Sequence, residues 1–362
     1  MSDQHGAAPP GDRPWRRGAT GVLLLLGLAV ALALLRLCIE RPLDGAPGLD
    51  WPDEVVRSLR LGAILAATVV GISLGVSGTL LQATLRNPLA DPFILGVSAG
   101  AGLGVAIATA MAWKAPEQAW WMSGGGMIVP ASVGAGAALL ATQVLGTRRS
   151  GPDPLTLVLA GVVVSAMCGA ATLFVQHLLP YSVRGDLSTW MMGRLPEAAE
   201  GRLLGAVGAL AAAGLLCGAG LGRAMDAMSF GDDEARAIGL RLGALRLMLA
   251  TVAGILAAGS VAIAGPLAFV GLMAPHLARL LLGDRHRLLV VGAALMGASL
   301  LMAADCLRQV VDVGAGRVPV GVFSALAGGP LFLVLLRTGR GRTCSKPSIC
   351  TIASAPWRPS AG

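Results

Sequence analysis

A short polar segment, MSFGDDEARAIGLRLGALR at residues 228–246, separates two apolar runs and carries its ionisable side chains in an ordered pattern. Carboxylates come first, where they stabilise the N-terminus of a helix, and Gly239 suits the left-handed residue that ends one. The pattern predicts one short helix that ends near Gly239 and a second over residues 241–246. The carboxylates at the start belong to Asp232, Asp233 and Glu234.

This segment has two interpretations. It is a solvated loop helix, or it is a compact knob that binds a partner protein through a few apolar side chains between the charged ones. The spacing of the residues does not choose between these interpretations. The apolar contact points would be Ala235, Ile238 and Leu240.

Three arginines form a second group of candidate functional residues. Arg57 and Arg60 precede one apolar run, and Arg308 stands at the end of another. As single residues they are explained as anchors whose long side chains reach the polar edge of a bilayer. If they converge on one face, they form a cationic site for the acidic side chains of a partner protein.

No group of residues suits catalysis. His177, His276 and His286 lie far apart in the sequence, so packing explains each of them better than acid–base chemistry does. The chain contains no G-x-x-x-x-G-K-[ST] phosphate loop, and its only lysines are Lys114 and Lys346. The six cysteines form no CxxC pair. We therefore expect no catalytic, cofactor-binding or metal-binding residues, and energy for any work must come from a partner protein.

The composition of the chain indicates a membrane protein. Hydrophobic residues make up 55% of the 362 residues and charged residues only 13%, far below the charged fraction of about 25% in soluble domains. Mean hydropathy is +0.72. The net charge of +8 lies in short basic clusters between apolar runs with few aromatic residues, a pattern typical of topology signals and not of nucleic-acid binding.

About ten apolar runs approach the length of roughly 20 residues that a helix needs to cross a bilayer. The chain is therefore predicted to be an all-α polytopic membrane protein. The run at 266–283 is the least secure, because it is short and contains Pro275. The runs cover residues 19–38, 58–85, 94–112, 124–146, 155–179, 202–222, 246–264, 266–283, 288–308 and 319–337.

Arginines between the runs predict the orientation. If the N-terminus is cytoplasmic, the basic connections lie inside, as the positive-inside rule requires. An even number of spans then leaves both termini in the cytoplasm. We expect residues 1–18 to form a cytoplasmic tail, 19–338 the membrane domain, and 339–362 a disordered cytoplasmic tail.

Six blocks of this sequence resemble, in order, the FecCD-type permeases, which are the membrane subunits of ABC importers for iron-siderophores, haem and vitamin B12. The first block is RSLRLGAILAATVVGISLGVSGTLLQATLRNPLADPFILGVSAGAGLG at 57–104. The resemblance extends over about residues 20–338. The later blocks are LVLAGVVVSAM (157–167), WMMGRL (190–195), SFGDDEARAIGL (229–240), VAIAGPLAFVGLMAPHLARLLLGDRHRLL (261–289) and PVGVFSALAGGPLFLVLLR (319–337).

The resemblance implies a BtuC-like fold and a set of partners. These are a second permease copy or a paralogue, two ATP-binding subunits that use ATP and magnesium, and a periplasmic or lipid-anchored substrate-binding protein. The chain itself would sit in the cytoplasmic (inner) membrane of a bacterium. The segment 228–246 resembles the coupling helices that dock into the ATPase. Its implied coupling residues are Gly231, Asp233, Glu234, Ala235, Arg236 and Gly239.

The same resemblance assigns roles at two other places. Arg57 and Arg60 are similar to the arginines that accept glutamates from the binding protein, and Arg308 is the approximate third, one position early relative to Asp305. The start of the fifth run is similar to the cytoplasmic gate, although Asp153 there also suits a helix cap. The implied gate residues are Pro154, Leu155 and Thr156.

The expected function is translocation of an iron-siderophore or related metal chelate, with haem or vitamin B12 as alternatives of the same family. An ion-coupled secondary transporter is the rival from another class, but it needs ionisable groups at mid-membrane, where these runs have few. The chain departs from the family at Arg317, where a glutamate is usual, and at Gly328-Gly329-Pro330, where Gly-Ala-Pro is usual.

Overall fold

The computed structural model of the protein describes residues 14–40, 48–115, 127–148, 151–196, 201–311 and 318–338. The described residues are mainly helical, with two small antiparallel pairs of strands, Ile39–Glu40 (β1) with Gly48–Leu49 (β2) and Thr147–Arg148 (β3) with Gly151–Pro152 (β4). The helices are α1 Pro14–Cys38, α2 Glu54–Leu85, α3 Val97–Lys114, α4 Ile128–Gly146, α5 Pro154–Leu178, α6 Tyr181–Met191, α7 Gly201–Gly220, α8 Gly222–Phe230, α9 Asp232–Ala237, α10 Leu242–Ala264, α11 Val270–Leu282, α12 His286–Val310 and α13 Val320–Thr338.

Ten of these helices coincide with the ten predicted apolar runs. Eight of the described helices are long and apolar enough to cross a membrane, and the apolar helices Val270–Leu282 and Val320–Val334 are shorter. The predicted all-α polytopic fold is therefore confirmed. α11 is short, as expected, but Pro275 lies inside it and does not break it. α1 begins at Pro14, ahead of the predicted boundary at residue 19.

Glycines allow the central helices to touch backbone to backbone. A Cβ atom at Gly75 of α2 would lie 2.1 Å from the carbonyl oxygen of Ala293 on α12, and one at Gly78 would lie 1.7 Å from that of Gly271 on α11. No side chain fits in such a space. Membrane helices associate in this way because hydrocarbon gives no hydrophobic force between them. α2 thus forms the axis of the bundle, against which α10, α11 and α12 pack.

The connection between α2 and α3 is a tight reversal. α2 ends at Arg86, which adopts the left-handed conformation with φ +48°. The Asp91 side chain then accepts a hydrogen bond of 2.9 Å from the backbone N–H of Phe93, and it caps a short 3-10 helix at Pro92–Leu95. Gly96, at φ +78°, leads into α3.

The polar segment after α7 differs from the prediction in one respect. α9 is short and is followed by Gly239 at φ +86°, so the predicted helix stop is confirmed. The second short helix predicted over 241–246 is wrong, because these residues begin the long helix α10. Leu242, Leu245 and Leu249 are buried on one face, and this apolar stripe runs on into the membrane without a break. A different short helix, α8, precedes α9.

Candidate functional site

The two ends of α2 carry the two groups of candidate residues. We call the end with α9, the C-terminus of α2 and the N-terminus of α12 the α9 end. We call the opposite end, with the C-termini of α1 and α12, the Asp305 end. Because α2 has 32 residues and rises about 1.5 Å per residue, the two ends lie roughly 45–50 Å apart along the helix.

At the α9 end, one aspartate connects three helices. The Asp232 Oδ1 atom of α9 accepts a hydrogen bond of 2.7 Å from Arg246 Nη2 of α10. The guanidinium of Arg86, at the end of α2, forms an ion pair with the same oxygen. Partial desolvation raises the pKa of Asp232, but the hydrogen bond and the charges of the two arginines outweigh it and hold that pKa below its usual value. The carboxylate is therefore ionised at neutral pH.

The predicted coupling residues lie on α9 and at its borders. Of the six residues of the helix, only Ala235 is buried, and it packs into the main apolar core. Asp233, Glu234 and Arg236 are exposed. Gly231, at φ +155°, and Gly239 flank the helix. α9 thus presents charged side chains outward while one methyl group and one carboxylate hold it to the bundle.

Two large apolar side chains beside α9 are exposed outside the spans. Phe230, the last residue of α8, is 80% exposed, and Ile238, just after α9, is 67% exposed. Ile238 was expected as a contact point from the sequence, but Phe230 was not. In the sequence, Phe230 could have been recognised as an aromatic residue within an otherwise polar connection. Together with the charged residues of α9, they form a mixed surface of the kind that a partner protein covers.

A further contact attaches α8 to α12 at the same end. Asp226 Oδ1 of α8 accepts a hydrogen bond of 3.0 Å from the backbone N–H of His286 and lies 2.7 Å from its Nδ1 atom. His286 is the first residue of α12, so the carboxylate satisfies a free N–H group at a helix start. The segment from α8 to α9 is therefore attached to α2, α10 and α12.

The predicted docking arginines are not equivalent. Arg308 is buried, and its Nη2 atom lies 2.7 Å from Asp305 Oδ1 on the same helix. Arg36 of α1 contacts the other oxygen of Asp305 from a buried position. The charge of Arg308 is therefore enclosed and paired with Asp305, whereas the docking role predicted for it needs an accessible charge. Arg36 was not among the residues predicted from the sequence, although its position at the end of an apolar run could have indicated it.

Arg57 and Arg60 lie in the first turns of α2 at the same end. Both are half-buried, and Arg60 Nη1 donates a hydrogen bond of 2.7 Å to the carbonyl oxygen of Leu37 at the end of α1. This bond satisfies one of the carbonyl groups that a helix C-terminus leaves free. Both residues are therefore partly accessible at this end of the bundle. Arg317, the departure noted above, lies outside the described residues.

The predicted gate residues form the first turn of α5. The Asp153 side chain accepts hydrogen bonds from Thr156 N at 3.0 Å and Thr156 Oγ1 at 2.6 Å, which confirms Asp153 as the helix cap. Pro154 occupies the first helical position, where its missing N–H costs nothing. Leu155 is 66% exposed. Among the described residues, no group of three or more His, Cys, Asp or Glu side chains could hold a metal ion.

Comparison with known proteins decides the family. The family model described as "FecCD transport family" matches residues 21–338, which is most of the chain. The chain belongs to the FecCD transport family. Its apolar helices and this membership make it a multi-pass protein of the inner membrane.

Individual relatives of this FecCD protein are transporter components. It is 37% identical to the hemin transport system permease protein HmuU of Yersinia pestis, over 77% of this chain and 82% of the relative. It is 34% identical to the ferric enterobactin transport system permease protein FepD of Escherichia coli K12, over 88% of this chain and 94% of the relative. A solved inward-facing structure of a transporter assigned to the metal-chelate ABC type covers 88% of this chain and 99% of its own, with 26% identity and a TM-score of 0.76.

Proposed function

We propose that this chain is the transmembrane permease subunit of an ATP-binding-cassette importer for an iron chelate. The observation that carries the proposal is α9, a helix of six residues with exposed charges, which is fixed to the membrane bundle through Asp232. Such a helix outside the spans suits the transfer of motion from a partner. Membership in the FecCD transport family supports the same function.

In this proposal, the α9 end faces the cytoplasm and both termini are cytoplasmic. Arg86, Arg223, Arg236, Arg241 and Arg285 all belong to connections or short helices at this end, as the positive-inside rule requires. Two ATP-binding subunits bind there, and they use ATP and magnesium. A periplasmic or lipid-anchored binding protein docks at the Asp305 end, where Arg57 and Arg60 accept its acidic side chains. A second permease copy or a paralogue completes the pathway.

Transport follows from this arrangement as a rigid-body transition. ATP binding closes the partner dimer and displaces α9, and the attached helices tilt so that the pathway between the permease copies opens on alternate sides. The start of α5, at Pro154, Leu155 and Thr156, forms the cytoplasmic gate. α5 suits a pathway or subunit surface, because several of its large apolar side chains are exposed in the single chain, among them Leu159, Met167 and Phe174.

An iron-siderophore is the substrate we favour, with haem and vitamin B12 as alternatives. The relatives named above carry hemin and ferric enterobactin in their names. An ion-coupled carrier is disfavoured, because the buried charged side chains of the described spans, Arg36, Arg246, Asp305 and Arg308, all lie within about two turns of a helix end. The substrate is tested by measuring which chelate the cognate binding protein binds.

To test the function, the chain is reconstituted with its ATPase and binding protein in proteoliposomes, and ATP hydrolysis is measured. Glu234→Lys combined with Gly239→Leu places a reversed charge and a bulky side chain on the coupling surface. We expect this variant to lose most of the ATP hydrolysis that loaded binding protein stimulates, by about tenfold, the effect of 1.4 kcal/mol of lost contact.

The matched control is Asp284→Lys, which reverses an exposed charge in the turn between α11 and α12 at the same end. It should hydrolyse ATP like the unaltered complex. If the double variant also kept stimulated hydrolysis, α9 would not be the coupling element. If the unaltered chain did not assemble with an ATPase at all, the assignment as a permease subunit would be wrong.

A further inference from the structure

The attachment of α9 to the bundle depends on very few groups. α9 has fewer than two turns, and Ala235 is its one buried residue. Apart from the chain connections at either end, the polar attachment that the structure describes passes through Asp232. Any displacement of α9 relative to the spans must therefore act on this carboxylate or on the small contact made by Ala235.

Arg86 reaches Asp232 from a backbone conformation that disfavours arginine. Its φ of +48° and ψ of +35° lie in the left-handed region, which is the usual place for glycine or asparagine at a helix C-terminus. An L-residue with a long side chain is strained there. Since glycine would relieve this strain, the arginine indicates that its side chain has a role, and the contact it makes is with Asp232 Oδ1.

Arg246 meets the same oxygen atom from α10. Its side chain is largely enclosed, at 9% exposure, in the second turn of a helix that continues into the membrane. A guanidinium at this depth requires a carboxylate close by, because burial of a charge is costly without an opposite charge. Asp232 supplies it at 2.7 Å. One oxygen atom thus joins the end of α2 to the start of α10.

The two helices joined in this way lead to different parts of the molecule. α2 is the axis of the bundle and carries Arg57 and Arg60 at its far end, whereas α10 runs to Ala264, whose carbonyl oxygen accepts a hydrogen bond of 2.7 Å from Arg194 N just after α6. A pull on Asp232 is therefore transmitted to α2 and to the segment after α6. No other residue of α9 has a described contact with both helices.

We infer that Asp232 is the positioning residue that transmits the movement of α9 to α2 and α10, separate from the exposed residues that bind the ATPase. This inference rests on the proposed function. It divides α9 into an outer surface of Asp233, Glu234 and Arg236 that binds the partner and an inner carboxylate that passes the motion on. Loss of the inner carboxylate should leave ATP hydrolysis intact and uncouple it from transport.

The test uses the full complex in proteoliposomes and measures substrate imported per ATP hydrolysed. Asp232→Asn keeps the size of the side chain and removes its charge, and it should lower this ratio by about fivefold or more while stimulated hydrolysis stays near that of the unaltered complex. Asp232→Glu should restore most of the ratio, because it restores the charge. The control Asp284→Asn removes an exposed carboxylate at the same end and should change nothing.

A second variant covers the case in which Asp232→Asn does not assemble. Arg86→Gln breaks only the contact with α2 and leaves the Arg246 contact in place, and Arg86 is exposed, so folding tolerates the change. We expect a lower transport ratio in this variant, with Arg287→Gln as the exposed control. An unchanged ratio in Arg86→Gln, or a proportional fall of hydrolysis and transport in Asp232→Asn, would refute the inference. Failure of the unaltered chain to couple ATP to uptake would instead refute the proposed function.

Discussion

Each end of the bundle holds one aspartate between two arginines, and the two clusters differ in their access to water. At the Asp305 end, the side chain of Asp305 is 1% exposed and those of Arg36 and Arg308 are 4% exposed. At the α9 end, the side chains of Asp232 and Arg86 are both 32% exposed, and that of Arg246 is 9% exposed. All three charges are therefore enclosed at the Asp305 end, whereas two of the three are partly solvated at the α9 end, and we call the latter group the half-solvated cluster.

The difference in solvation gives the two clusters different mechanical properties. Enclosed charges interact strongly and cannot be replaced by water, so the Asp305 cluster fixes α1 to α12. Asp232 and Arg86 of the half-solvated cluster exchange their contact with water at little cost, which suits a joint that must move. A transporter needs both, because some helices must move as one body while others change their relative positions.

The largest effect is expected from Asp305→Asn. This change removes the carboxylate between two enclosed guanidinium groups, and breaking a buried ion pair on one side costs about 3–5 kcal/mol. We expect a clearly lower Tm in detergent than for the unaltered protein. Asp284→Asn, in which the lost carboxylate was exposed, serves as the control and should leave Tm unchanged. A Tm of Asp305→Asn equal to that of the control would mean that the enclosed cluster does not stabilise the fold.

A smaller effect is expected from the half-buried arginines at the Asp305 end, in contrast to the enclosed Arg36 and Arg308. Arg57→Glu with Arg60→Glu should weaken docking of the binding protein about tenfold or more, mainly through slower association that depends on salt. Arg202→Glu, an exposed reversal at the start of α7, is the control. The measurement is the Kd of the binding protein on the purified complex at low and high salt. Equal affinity in the double variant and the control would contradict the docking role of Arg57 and Arg60.

Features that depend on neighbouring residues in the sequence were predictable. The apolar runs predicted the ten apolar helices, because a span needs only length and hydropathy. Asp153 as the cap of α5 and Gly239 as the end of α9 also followed from local chemistry. The boundary at 241–246 was wrong, because whether a short polar helix ends or continues depends on what its apolar stripe packs against.

The ion clusters were not predictable, because their members are far apart in the sequence. Arg36 and Asp305 are separated by 269 residues, and only the packing of α1 on α12 brings them together. The same is true of Arg86 with Asp232. In the sequence, Arg308 belongs with Arg57 and Arg60 because all three stand next to the ends of apolar runs. Burial, which separates Arg308 from them, depends on tertiary packing.

The smallest effect concerns the pH dependence of the half-solvated cluster. Although partial desolvation raises the pKa of Asp232, the hydrogen bond from Arg246 and the charges of Arg246 and Arg86 together lower it below the usual 3.8. A carboxyl with a lowered pKa in the folded state stabilises the protein above its unfolded pKa and loses that contribution as the pH falls through its folded pKa.

Asp232→Asn should therefore be less stable than the unaltered protein by about 1 kcal/mol at neutral pH, as expected for a partly exposed pair. This difference in the free energy of unfolding should stay constant down to about pH 5 and close as the pH falls below about 4. The measurement is Tm against pH at constant ionic strength, with Asp284→Asn as the control. A difference between the two proteins that persisted in full at pH 3 would mean that Asp232 stabilises the joint by its shape and not by its charge. The two clusters would then differ in kind, since the enclosed one would be electrostatic and the half-solvated one steric.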